Sequence, residues 1–499
     1  MHFSRSSATA MTIASALLLC APSLALASDG VETIAPSPWM ILPFVILLLA
    51  IALMPFIAKH WWEKNFAIAS AALGAVTVIY YVAVLHNPMR MVHSGIEYVS
   101  FICLVGSLFV VSGGLHIRVR GYSTPVSNVL LLLFGAVISN FIGTTGASMV
   151  LIRPWLRNNK YRLHPYHVVF FIFIVSNVGG ALSPIGDPPL FLGYLRGIPF
   201  FWVAEHLWPM WLLATALILG IFYVIDLRYY RKVPKKVREE KEKLGEKLRF
   251  EGLHNLGFLL MILIAVFIQN PPFLREIIML VAAFGSYKTT KRNIHEANDF
   301  NFVPIKEVGF LFLGLFATMV PALDWLELNA TSLGITAPAH FYWGSGVLSS
   351  FLDNAPTYLN FLSASIGLFV TPEMVAQVQR IIADATHANL AQYSPDIQAT
   401  FNTLFKYHGD MVASGNVPVV DIQVSYLLGV HNIYIMAISI GSVFFGANTY
   451  IGNAPNFMVK SIADQAGART PSFFGFMFKF SIPVLIPVFT LVWFLFFRG

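Results

Sequence analysis

Residues 176–189 read SNVGGALSPIGDPP, placing two consecutive glycines, three prolines, an amide and a carboxylate inside a stretch that is otherwise apolar. The stretch is apolar from His167 to Val175 and resumes at Leu190, so it is long enough to cross a bilayer. It cannot do so as one continuous helix, because proline removes backbone donors and clashes with the preceding turn. Unpaired backbone is tolerated at membrane depth only where it lines a cavity or is buried in protein. The pattern recurs near the other end of the chain. TYIGNAPN (449–456) lies on SPIGDPP (183–189) with Ile185 matched to Ile451, Gly186 to Gly452, Asp187 to Asn453 and Pro189 to Pro455. Two interrupted spans in corresponding halves are the pattern of secondary transporters with a site at the breaks.

The composition agrees with a polytopic membrane protein. Of 499 residues 57% are hydrophobic and 11% charged, well outside the soluble range. The net charge of +7 does not point to nucleic acid, because the basic residues sit in short clusters between apolar runs. Residues 1–27 carry Arg5, an apolar core and Ala25-Leu26-Ala27, the form of a cleavable signal peptide; an uncleaved extra span is the alternative. Cleavage would leave Cys103 as the sole cysteine, so neither an internal disulfide nor a cysteine metal site is expected.

Apolar length and positive flanks place spans at about 38–58, 66–85 and 98–116. Residues 123–156 are basic at both ends and carry the polar tip Gly143-Thr144-Thr145-Gly146, which predicts a re-entrant hairpin opening to the cytoplasm; one long span is the alternative. The broken span 167–195 follows, then a span at 207–227 and the charge run 228–250, read as a solvated linker. The second half (251–499) repeats this plan from the opposite side: spans at 254–269, 276–287 and 307–323, a hairpin at 337–370 broken at Leu352-Asp353-Asn354-Ala355-Pro356-Thr357, an external loop with amphipathic pieces at 371–422, a broken span at 424–459 and a last span at 473–496. The expected architecture is an all-α polytopic protein of two inverted-topology repeats, 28–227 and 251–499, each with five spans and one hairpin. In that arrangement 24 Lys and Arg residues face the cytoplasm and six face outside, which puts the mature N-terminus in the periplasm of a bacterial inner membrane.

Helices that end or start in mid-membrane present unpaired carbonyl and N–H groups, so the breaks offer partial charges of both signs. The candidate ligands are Ser139, Asn140, Thr144, Thr145, Asn177, Ser183 and Asp187 in the first half, with Asp353, Asn354, Thr357, Asn448, Thr449 and Asn453 in the second. Hard oxygen donors suit Na+, and Asn140, Asn177, Asp187, Asp353, Asn354 and Asn448 form the expected Na+ set. Asp187 and Asp353 stand out, since an intramembrane carboxylate is functional by default. The bland reading of Asp187 is an N-cap before Pro188, with no ion role.

SNFIGTTGAS, SNVGGALSPIGDPP, FLDNAPT and GANTYIGNAP resemble the hairpin and broken-span motifs of the ion transporter superfamily, in particular its D-type sodium/proton antiporters and citrate transporters. The resemblance covers most of the mature chain and implies inverted repeats, a homodimer and elevator-like movement of the hairpin-bearing domain. It departs from carboxylate symporters of the group: where their hairpins carry Ser-Asn-Thr, this chain has Ser139-Asn140-Phe141 and Asp353-Asn354-Ala355. An aspartate there would repel a polyanion and no arginine lies at a tip, so Na+/H+ antiport is the first expectation and Na+- or H+-coupled citrate or dicarboxylate transport the alternative, with arsenite efflux behind both. No cofactor and no enzymatic motif is expected, and the missing P-loop argues against direct ATP drive.

Overall fold

The computed structural model describes residues 34–120, 124–233, 247–268, 271–298, 300–383 and 390–498. The segment read as a signal peptide lies outside them. Among the described residues eight helices are long and apolar enough to cross a membrane, or ten when two bent pairs are each counted as one span. Large apolar side chains such as Leu49, Ile68, Leu212 and Phe284 remain exposed on their outer faces. A bilayer is the environment in which such surfaces are stable. The protein is an all-α polytopic membrane protein.

Leu42–Ile57 and Lys59–Ile79 pair first, followed by the longer Pro88–Gly113. Pro125–Asn158 is helical on both sides of Gly143, whose φ of 75° and ψ of 155° break it. Its two arms return on one another. Asn128 and Asn159 exchange side-chain hydrogen bonds of 2.8 and 3.1 Å. A Cβ added at Gly135 would lie 3.1 Å from Leu151 Cδ1. In an unbroken helix residues 135 and 151 would be about 24 Å apart at 1.5 Å per residue. The left-handed backbone at Gly143 therefore makes a hairpin rather than a long span, at a position where a side chain would be strained.

Pro165–Ile174 and Pro188–Leu195 are the helical parts of the first broken span, separated by an irregular stretch that includes a short turn at Val178–Leu182. Phe200–Lys232 then runs through the segment read as a single span and into the charge run. In the second half, Pro338–Ser349 and Asn354–Phe369 form another antiparallel pair: Phe341 and Phe361 meet at 5.9 Å, edge to face. The second broken span comprises Asn432–Phe445 and Ala454–Gln465. The helix before it, Val419–Val430, turns by 98° at His431, so the stretch read as one broken span from 424 begins instead at 432.

One more feature differs from the sequence reading. His116–Arg120 and Lys247–Glu251 pair as an antiparallel ribbon, with Arg118 opposite Arg249. The end of the segment read as a linker is thus structured. The amphipathic pieces expected in 371–422 are two helices, Pro372–Ala383 and Pro395–Ser414, which share a small core of their own around Val378, Ile381 and Leu404.

Candidate functional site

The breaks meet at one carboxylate. Asp187 occupies the N-cap position of Pro188–Leu195, yet its side chain makes no bond to that helix. Its Oδ1 accepts from Thr144 Oγ1 at 2.9 Å and from Asn453 Nδ2 at 3.1 Å, while Oδ2 accepts from Asn354 Nδ2 at 2.9 Å. These donors come from the first hairpin, the second broken span and the second hairpin. Asp187 is fully buried, and among the described residues no Lys, Arg or His forms an ion pair with it. Neutral donors alone leave much of the charge of a buried carboxylate uncompensated.

The surrounding bonds hold each break open. In the first half Asn140 is gripped from both sides: its Nδ2 donates to the Gly179 carbonyl at 2.7 Å, and its Oδ1 accepts from the Leu182 N–H at 2.9 Å. Ser183 Oγ donates to the Asn140 carbonyl at 2.6 Å and accepts from the Gly186 N–H at 3.0 Å. The second half repeats this motif. Thr449 Oγ1 donates to the Ser350 carbonyl at 2.6 Å and accepts from the Gly452 N–H at 2.9 Å. A Cβ on Gly186 would collide with the Gly180 carbonyl, and one on Gly452 would lie 2.7 Å from the Gly446 carbonyl, so both breaks close on glycine. The correspondence of Gly186 with Gly452 and of Asp187 with Asn453 is therefore a correspondence of geometry as well as of letters.

The two breaks are also tied directly. Asn177 Nδ2 donates to Asn456 Oδ1 at 2.7 Å, and Asn177 Oδ1 accepts from Asn453 Nδ2 at 3.2 Å. Asn456 in turn donates to the Gly446 and Thr449 carbonyls at 2.8 and 3.0 Å. The sequence reading passed over Asn456, although it lies one helical turn beyond Asn453, where side chains share a face. It also passed over Ser349, whose hydroxyl bonds Asn354 Oδ1, and Ser350, whose hydroxyl accepts from Asn448 Nδ2 at 2.9 Å. Among the described residues none donates to the buried Asn448 Oδ1, which suits a cation ligand.

Other candidates lie nearby in different roles. Asp353 caps Asn354–Phe369 by accepting from the Ala355 N–H at 3.1 Å, and it does not bond to Asp187. Thr357 Oγ1 bonds the Asp353 carbonyl at 3.0 Å, and Ser139 Oγ bonds the Ala136 carbonyl at 2.8 Å within its own helix. Thr145 is half-buried and makes none of these bonds. Among the described residues no cluster of three His, Cys, Asp or Glu side chains suits a transition-metal ion.

The family model described as "Putative citrate transport" matches residues 33–497. The chain belongs to this family. It is a transporter, and the match spans both hairpins and both broken spans. A search of curated proteins finds no match. For a member of this family the absence of a cationic side chain at Asp187 sets the chemical question, because citrate carries up to three negative charges at neutral pH.

Proposed function

We propose that this protein carries citrate across the membrane together with a coupling cation, Na+ or H+, at a site formed by its two hairpins and two breaks. The observation that carries the reading is Asp187: an N-cap residue whose carboxylate turns away from its own helix toward three neutral donors on three other elements. A cation bound there supplies the positive charge that no lysine or arginine provides. Asn448 Oδ1 and the irregular carbonyls of both breaks are further oxygen ligands for Na+. Pro188–Leu195, Asn354–Phe369 and Ala454–Gln465 all begin beside the site, and helix N-termini favour an anion. Cation first and carboxylate second is the order these charges support. A citrate already paired with a metal ion meets less repulsion.

The family description favours citrate over Na+/H+ antiport, the first expectation from sequence. Antiport stays as the second reading because a buried carboxylate without a basic partner can alternate between H+ and Na+ with no organic substrate. Labelled citrate offered to right-side-out vesicles separates the two. Uptake stimulated by an inward Na+ or H+ gradient supports citrate transport. Absence of uptake, with Na+-dependent collapse of the pH gradient in everted vesicles, assigns the chain to antiport. We place the protein in a bacterial inner membrane as a homodimer of inverted repeats, the arrangement implied by the resemblance.

A further inference from the structure

Hydrogen bonds whose partners are both described sort the chain into two bodies. The first, residues 34–120 and 247–333, is tied by Arg90 and Tyr81 on Asp324, by Ser94 on the Phe316 carbonyl and by the ribbon. The second, residues 124–233 and 336–498, contains the site. Around the first hairpin the seam is made of small and apolar groups, whereas Glu327 of the first body is hydrogen-bonded to Gln423 of the second near Arg196. Ser112 Cβ would lie 3.1 Å from a Cβ on Gly146, Leu108 faces Gly143, and Val110 and Met149 share an apolar cluster with Met458.

A compact set of stronger contacts crosses this seam at one end. Arg196 forms an ion pair with Glu97: a terminal nitrogen donates to Oε2 at 3.1 Å, and Nε lies 2.8 Å from Oε1 without the alignment of a hydrogen bond. Tyr194 Oη donates to the Val266 carbonyl at 2.8 Å. Beside them the Phe267 ring from the first body meets Phe200 of the second at 4.7 Å. Tyr194 and Arg196 end the helix that Asp187 begins, Pro188–Leu195. Eight helical residues span about 12 Å, so one rigid rod joins the carboxylate to these contacts.

We propose that the Arg196–Glu97 ion pair, seconded by Tyr194 on Val266, is a latch between the two bodies that opens and closes in each transport cycle. The inference rests on the transport reading above. A sliding seam cannot carry strong directional bonds along its length without breaking them. At the edge of the seam both partners keep about a sixth of their side-chain surface exposed, 17% for Arg196 and 19% for Glu97, so water can receive the separated charges. Occupancy at Asp187 reaches the latch through the helix between them.

The test needs no assumption about the solute. In a chain with Cys20 and Cys103 replaced by serine, Ser112→Cys places one thiol in the seam, where Ser112 is buried. Its labelling by a maleimide reports separation of the bodies. Glu97→Gln should speed labelling by about tenfold, the shift expected when a partly desolvated ion pair stops favouring one state. The exchanged pair Glu97→Arg with Arg196→Glu should return labelling to the wild-type rate, which a folding defect would not do. Glu97→Cys with Arg196→Cys, in the same background without the Ser112→Cys change and joined by a reducible bis-methanethiosulfonate, should stop transport until reductant is added. Unchanged labelling in Glu97→Gln, or full transport by the cross-linked protein, overturns the latch. If the wild type takes up no citrate while labelling still responds to Glu97→Gln, the citrate reading fails and the latch stands.

Discussion

At the scale of single residues, two aspartates that look alike in the sequence have different surroundings. Both precede helices at a break. Asp353 spends its side chain on the Ala355 N–H, the ordinary work of a cap, whereas Asp187 leaves its own helix for Thr144, Asn354 and Asn453. The residue types at the breaks were legible because polar groups are costly in lipid; the direction each side chain takes depends on partners up to 266 positions away and was not. Asp187→Asn keeps the shape but turns an amide donor toward donors already in place, a mismatch of about 1–3 kcal/mol. It should also remove cation-coupled uptake, by about a hundredfold or more, as expected when a charged ligand is lost. Asp353→Asn keeps a competent cap and should leave uptake within about threefold of wild type. Uptake and thermal unfolding in detergent, measured on both variants, check the assignment; the opposite ranking would exchange their roles.

At the scale of elements, the hairpin at 123–156 shows how far charge patterning reaches. Basic flanks at both ends of an apolar stretch argue for a return to the same side, and the bonds between Asn128 and Asn159 join the two arms at their bases. What patterning did not supply is the fastening. Asp226, at the far end of Phe200–Lys232, is fully buried and holds Arg162, Tyr166 at 2.6 Å and Asn128 at 3.0 Å, clamping the hairpin base to the start of the first broken span. Asp226→Ala should cost about 3–5 kcal/mol, because removing one member of a buried ion pair is strongly destabilising. Gly143→Ala should cost about 1–3 kcal/mol through its positive φ and displace Thr144 from Asp187. A lowered unfolding temperature in detergent is the readout for both; a thermally unchanged Gly143→Ala would argue against the sharp turn. The ribbon escaped notice for a different reason. HIRVR and KLRFE each alternate apolar with charged residues, but five residues in a charge-rich stretch are too few for a period of two to stand out, and the strands lie more than a hundred positions apart.

At the scale of the whole molecule, the proposed orientation rests on one asymmetry, 24 Lys and Arg residues against six. The rule behind it is that positively charged loops resist translocation, and it counts loops near span ends more than long polar segments. Two exposed positions put the assignment to a direct test. Arg231, in the last turn of Phe200–Lys232, belongs to the basic side, and Lys406, in the Pro395–Ser414 helix that packs into its own small core, belongs to the other. Neither bonds to the site, and among the described residues Lys406 meets only Tyr407 and the surface residue Glu205, so a cysteine at either place should leave the fold intact. Single cysteines introduced there, with Cys20 and Cys103 replaced by serine, should differ in reach of a membrane-impermeant sulfonated maleimide. Intact right-side-out cells or vesicles should label Lys406→Cys at once and Arg231→Cys only after permeabilisation. The reverse pattern would turn the protein over, placing Arg196, Glu97 and the proposed latch on the cytoplasmic side. Labelling of both from outside would mean that the hairpin at 337–370, which lies between the two positions, crosses the membrane instead of returning, which would break the opposition of the halves on which a shared site at Asp187 depends.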